Sequence, residues 1–347
     1  MKMIKRAIAV FLLMLLLCAA SCAAKATSDN VVTPESPSVQ TATNASPETL
    51  QTPSETAEET TQASETTETE PSTETPAPSG IVATISSVND YIVTQTGETT
   101  VTVKGKARPA AGDTVTATIP GHYLKVKATG QAAEAILYLP DGVFTYEYRA
   151  DSTVYMNNAF YKQPLSFTFT IPSDEELAKE RNLAVNPYDY DGNEPGSYPH
   201  ATTNNVYDRS GQFIARNAID GYTSNTAHGN YPYESWGPGS TVRATDYFTV
   251  DLGREATVSS LELYLRADGF SRAHAHDAYF SEITLEFSNG TSVVIHPEKT
   301  AAKQEFTFDP VVTSYVKLTG FVTDKTDSDG WAAITEIKVI GSDAVKE

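Results

Sequence analysis

Three stretches of this 347-residue chain carry side chains able to do chemistry. His274, His276 and Asp277 are close enough that two imidazoles and a carboxylate on one strand could hold zinc. A zinc site needs further ligands, and His200, His228 and His296 are scattered rather than patterned. Upstream, Arg266 and Asp268 leave the end of an expected strand, where a forked donor and a carboxylate can be held rigidly against a ligand. A surface ion pair reads the same two residues equally simply. The third stretch, Thr226-Ala227-His228-Gly229-Asn230-Tyr231-Pro232-Tyr233-Glu234-Ser235-Trp236-Gly237, is aromatic and polar, with His228, Tyr233 and Trp236 as candidate ligand contacts. Core packing is the competing place for Trp236. There is no Gly-x-Ser-x-Gly elbow, phosphate loop or cysteine beyond Cys22 to serve as nucleophile. Paired carboxylates for glycoside hydrolysis meet only in three dimensions and stay open.

The elements that position these residues begin with a leader. Lys2, Lys5 and Arg6 precede an apolar run over 7–20, shorter than the roughly 20 residues a spanning helix needs. Ala19-Ala20-Ser21-Cys22 then resembles the lipobox of bacterial lipoproteins, which implies a diacylated Cys22 as the new N-terminus. An ordinary secretory signal cut near Ala24 is the alternative. Both cysteines, Cys18 and Cys22, lie in this leader, so no disulfide framework is expected.

From 23 to 79 the sequence is Thr, Ser, Glu, Pro and Ala, with Glu55, Glu58, Glu59, Glu65, Glu68, Glu70 and Glu74 and no Lys or Arg after Lys25. So few apolar side chains cannot offset the entropy of ordering, and a disordered stalk is expected. A flexible chain of roughly 55 residues reaches about 40 Å, enough for a spacer. Much of the net charge of −19 sits here, which reads as solubility rather than a binding face. Nothing resembles the clustered Lys and Arg that nucleic acid rewards.

Period-two alternation with β-branched and aromatic residues predicts a small β-sandwich over 80–172. Its strands are expected at 81–85, 99–104, 114–119, 123–127, 135–139, 144–148 and 165–171. His122 reads as a turn residue. Tyr146, Tyr148, Tyr155 and Tyr161 read as packing or as an aromatic strip, so this domain is a spacer or a second recognition module. Ser173 and Glu176 make a capping-box pattern, predicting a short helical linker over 173–181. Residues 182–342 again read as all-β, with strands at 248–253, 261–265, 283–287, 293–295, 315–318 and 334–339, and an Asn289-Gly290 hairpin turn.

Asn182-Leu183-Ala184, Asn217-Ala218-Ile219-Asp220-Gly221, Val250-Asp251-Leu252-Gly253, Phe287-Ser288-Asn289-Gly290, Tyr315-Val316-Lys317-Leu318 and Ile334-Thr335-Glu336-Ile337 follow in order. The series resembles the discoidin, or coagulation-factor type C, domain: a jelly-roll β-sandwich that includes many bacterial carbohydrate-binding modules. The resemblance covers the second domain and none of the first. It implies a structural calcium held by Asp220, Asn225 and Glu336 with carbonyls near Asn217 and Tyr222, and oxygen donors around a Gly turn suit that ion.

It further implies a ligand surface on loops at one end, where His228, Tyr233, Trp236, Arg266, Asp268 and His276 are placed. The expectation is an extracytoplasmic glycan-binding lipoprotein, tethered to the bacterial membrane only through its lipid, and non-catalytic. A structural or protein-binding module without a sugar site is the rival, and a metal-dependent or glycoside-acting enzyme the third reading.

Overall fold

The computed structural model describes residues 79–130, 133–149, 162–190, 196–207, 213–223, 235–239, 241–266, 269–270 and 273–343. Cys22, residues 23–78 of the expected stalk, Tyr155, Tyr161, Asn225, His228, Tyr233 and Asp268 lie outside the described residues.

The first part is a sandwich of two four-stranded antiparallel sheets. One has the order β2-β1-β4-β7 and contains β1 (Ile81–Ser87), β2 (Tyr91–Gly97), β4 (Thr114–Thr118) and β7 (Val143–Glu147). The other has the order β3-β8-β5-β6 and contains β3 (Thr100–Lys104), β5 (Tyr123–Ala128), β6 (Ala135–Tyr138) and β8 (Ser166–Thr170). Alternation does the work expected of it: Val115 and Ala117, or Phe167 and Phe169, point inward while the threonines between them face out. The short α1 (Asp174–Ala178) follows, with Ser173 and Glu176 closing a capping box.

The second part is one eight-stranded sheet folded over a single core. Its path is β13-β12-β14-β11-β16-β9, formed by β9 (Arg181–Asn182), β11 (Phe248–Leu265), β12 (Ala275–Phe287), β13 (Ser292–Ile295), β14 (Gln304–Asp324) and β16 (Ile334–Asp343). Off that path, β10 (His200–Thr203) pairs with β11, and β15 (Ser328–Ala332) runs parallel to β12. The expected strands at 248–253 and 261–265 are a single strand, because bulges bend β11 without ending it. Before the bulge at Val258/Ser260 the even residues are buried (Phe248, Val250, Leu252, Ala256, Val258). After it the odd ones are (Leu261, Leu263, Leu265), so one inserted residue switches the parity of the core face. His276 and Asp277 lie at the start of β12, so His276 is a strand residue and not one of a loop.

The two sandwiches share material. Tyr188, past the linker in sequence, is buried in the first core, edge-on to Phe144 at 5.6 Å, and its hydroxyl accepts from the Ala128 N–H at 2.9 Å. Burial pushes its phenol far up. Tyr190 stacks on Tyr146 at 5.9 Å. Tyr138 and Tyr198 exchange backbone bonds of 2.9 Å, and the Tyr198 ring lies where a Cβ on Gly253 would stand. Arg254 of β11 reaches over Tyr123 and Tyr138 of the first sandwich while Asp343 holds it at 2.7 Å. Arg181 pairs with the same carboxylate. At the next turn Asp189 accepts from His200 at 2.7 Å and from the Ala201 N–H at 2.9 Å.

A joint made of core residues predicts joint unfolding. Calorimetry is expected to show one transition for 80–343, and Tyr188→Ala is expected to lower it by about 3 kcal/mol or more without splitting it. Two separate transitions in the parent chain would contradict a shared core.

Candidate functional site

The pole of the second sandwich where β11 ends and β12 and β16 begin collects the described ligand candidates Trp236, Arg266 and His276. Leu265 gives way to Arg266, whose N–H donates to the Ala333 carbonyl at 3.1 Å. Trp236 and Ile334 exchange backbone bonds of 2.8 and 2.9 Å. Arg266 and Trp236 are therefore held by adjacent residues, Ala333 and Ile334, as loops gathered at one pole require.

Trp236 is nevertheless not a ligand contact. It is 1% exposed, packs against Phe248, Phe280 and Phe321, and donates its indole N–H to the Asn205 carbonyl at 3.1 Å. An indole whose one donor is satisfied inside a cluster of aromatics is a core residue. Arg266 is also buried, so it lies beneath the surface instead of reaching hydroxyls from it. Its guanidinium stands 5.4 Å over the Phe213 ring and 3.6 Å from the fully buried Asp277, which replaces Asp268 as the described carboxylate beside it.

His276 is the surface end of this arrangement. Its Nδ1 is 2.8 Å from Asp277 Oδ1, and its ring is partly exposed. Arg266, Asp277 and His276 thus form a chain from interior to surface, with the carboxylate orienting the imidazole. Next to Asp277 in register is Trp331 of β15, half-buried. Tyr207 stands edge-on to Trp331 at 4.8 Å and to Phe213 at 5.7 Å, and is 51% exposed. His274 and Asp329, paired at 2.7 Å, form an exposed rim.

Tyr207, Phe213 and Trp331 did not stand out in sequence. The available signal was Trp331 itself, an aromatic a few residues after the polar turn at Thr326-Asp327 and within the short β15. His274 and His276 are each engaged by a separate carboxylate. Among the described residues no three His, Cys, Asp or Glu side chains converge as a metal-ligand group, so the zinc reading gains nothing.

The second constellation is a pair of carboxylates. Asp220 follows the 3-10 turn Ala215–Ala218, and both it and Glu336 are buried. The Gly221 N–H reaches the two Glu336 oxygens at 3.2 and 3.3 Å, and the Tyr222 N–H donates to Asp220 Oδ1 at 3.0 Å. Burial, and then the Asp220 charge, push the Glu336 carboxyl well above its ordinary range. Asn217 is buried in the same turn and donates to the Ser235 carbonyl at 3.4 Å. Gly221 has φ +91, and a Cβ there would stand 2.4 Å from Ala133 of the first sandwich. Two buried carboxylates beside amide and carbonyl oxygens, with no imidazole or thiolate among the described neighbours, fit a hard divalent cation better than zinc.

A family model described as the F5/8 type C domain matches residues 200–337. Among solved structures the chain is similar to chitosan-binding module 1 of a chitosanase/glucanase from Paenibacillus sp. IK-5, at 21% identity over 46% of this chain and 99% of that one, TM-score 0.31. It is similar to the family 32 CBM of C. perfringens NanJ, solved in complex with galactose, at 21% identity over 40% and 91%, TM-score 0.31. A Streptococcus pneumoniae fucose binding module gives 17% identity over 47% and 96%, TM-score 0.31. No curated protein matches the chain. The part of the second sandwich that carries Asp220, Trp331 and Glu336 is thus the part, residues 200–337, that matches the F5/8 type C domain model.

Proposed function

We propose that this chain is a non-catalytic glycan-binding lipoprotein, held at the outer side of a bacterial membrane by Cys22 and presenting its sugar site at the Trp331 pole. One observation carries the reading: exposed Tyr207 and half-buried Trp331 stand edge to face above the Arg266–Asp277–His276 chain. An aromatic pair with one ring exposed and one half-buried offers an apolar surface to the C–H face of a pyranose. His276, oriented from below by Asp277, offers the polar edge that a hydroxyl needs. Arg266 serves by keeping Asp277 compensated within the protein rather than by touching the sugar. His228, Tyr233 and Asp268, which lie outside the described residues, stay in the proposal as ligand contacts.

Calcium on Asp220 and Glu336, with oxygens from Asn217, Tyr222 and Asn225, is part of the reading as a structural ion. It would neutralise the carboxylate pair and stiffen the turn beneath the site.

A glycan array probed with the full chain is expected to give hits that Trp331→Ala weakens by roughly tenfold or more. His276→Ala is expected to weaken them while leaving the fold intact. Trp236→Ala is instead expected to cost about 3–5 kcal/mol of stability, because it empties a core position. A silent array alongside capture of a protein partner would favour the protein-binding reading.

Calcium is tested by pH. Glu336 has a folded pKa raised above its ordinary 4.5, so the stability it contributes is full below 4.5 and is lost as pH rises through the raised value. In chelator, melting of the parent chain relative to Glu336→Gln is expected to fall as pH is raised above 4.5. Added calcium is expected to restore the parent and to leave the variant unmoved.

A further inference from the structure

Glu336 and Lys338 are alternate residues of β16, and the register between them is unbroken. Both side chains therefore leave the same face of the sheet, about 7 Å apart along the strand. On β11, Tyr264 stands opposite Glu336 and Glu262 stands opposite Lys338. These four residues connect the buried carboxylate turn to the outer face of the sheet.

Lys338 is held more firmly than a surface lysine. Its Nζ donates to the Tyr264 hydroxyl at 3.3 Å and lies 3.3 Å from Glu262 Oε2. The Tyr264 hydroxyl donates in turn to the same Glu262 oxygen at 3.4 Å. The ammonium also stands 4.9 Å over the Tyr264 ring. Glu262 does not answer Lys338 alone, because Lys303 approaches it at 3.1 Å while reaching Glu305 at 3.0 Å. The row across β14, β11 and β16 runs Glu305, Glu262, Lys338, so its positive end lies on the strand that carries Glu336. Burial and then Asp220 oppose ionisation of Glu336, whereas the Gly221 N–H and the Lys338 ammonium favour it.

We propose that Lys338 is a built-in competitor of the divalent cation at the Asp220–Glu336 turn. It steadies the two carboxylates when the ion is absent and weakens their hold on the ion when it is present. The inference rests on the calcium reading of that turn. One fixed positive charge attracts carboxylates and repels a doubly charged ion, and around a fully buried Glu336 little water screens either effect. Calcium is then an exchangeable ion whose occupancy follows the outside concentration, since the charge around a site sets its affinity.

Titration calorimetry with calcium chloride on the chelator-stripped full chain, together with melting in chelator at neutral pH, tests this. Lys338→Met is expected to bind calcium about fivefold or more tightly than the parent, and to melt lower than the parent without it. Lys338→Arg keeps the charge and is expected to match the parent on both counts. Damage to the fold would loosen the calcium site, so a tighter site in a less stable protein separates lost charge from lost structure. A parent that binds calcium as tightly as Lys338→Met overturns the proposal and leaves the calcium reading standing. So does a Lys338→Arg variant that behaves as Lys338→Met does. No calcium binding by the parent or either variant overturns both.

Discussion

Two carboxylates, Asp220 and Glu336, share a turn from which water is largely excluded, and the arrangement of the whole pole follows from that charge problem. Either carboxylate alone could be held by the amide hydrogens around Gly221. Together they disfavour ionisation, and the protein must keep one protonated or bring a cation. The cost of that pair has to be met by rigidity nearby, because a loose turn would separate the two groups and let water in. The rigidity comes from the start of β16. Ala333 accepts from Arg266, Ile334 pairs with Trp236, and Glu336 receives Gly221, so three loops are pinned within four residues. Trp331, just before them, inherits its position from the same pins.

The first sandwich adds to this frame from outside. Ala133 stands against Gly221 so closely that no side chain fits there, and Tyr198 does the same at Gly253. Each glycine marks a place where one sandwich has been let into the other. Tyr188 and Tyr190 make the exchange in the opposite direction. A spacer would need none of these contacts. The carboxylate turn is thus buttressed on one side by β16 and on the other by the loop before β6.

Much of this was legible in the residues. Threonine alternating with Val or Phe marked the strands of the first sandwich, and Ser173 with Glu176 marked α1. Asp220 and Glu336 were paired by the resemblance across more than a hundred positions, and the Gly221 N–H next to Asp220 bonds the Glu336 carboxylate. The bulge in β11 was not legible, because a period-two pattern cannot show one inserted residue that switches its own parity. Nor could the two tryptophans be told apart. Each follows a polar, turn-like stretch, and only the neighbours decide: Phe248 and Phe280 bury Trp236, whereas Tyr207 leaves Trp331 half open. Arg266 was paired with the nearest carboxylate in sequence, while its described partner, Asp277, comes from the neighbouring segment and could be found only in three dimensions.

These pairings bear on what the pole can recognise. Arg266 is balanced by Asp277, His274 faces Asp329, and the two inner carboxylates lie beneath the surface. An acidic sugar seeking Arg266 would have to draw it away from Asp277 and leave that carboxylate buried without its counter-charge, which is costly. A basic sugar finds Asp277 fully enclosed. What faces outward is an aromatic pair and an oriented imidazole, groups that bind by stacking and by hydrogen bonding. On the proposed glycan-binding function, neutral hydroxyl-bearing sugars are the ligands that this pole would accommodate without breaking a pair it already holds.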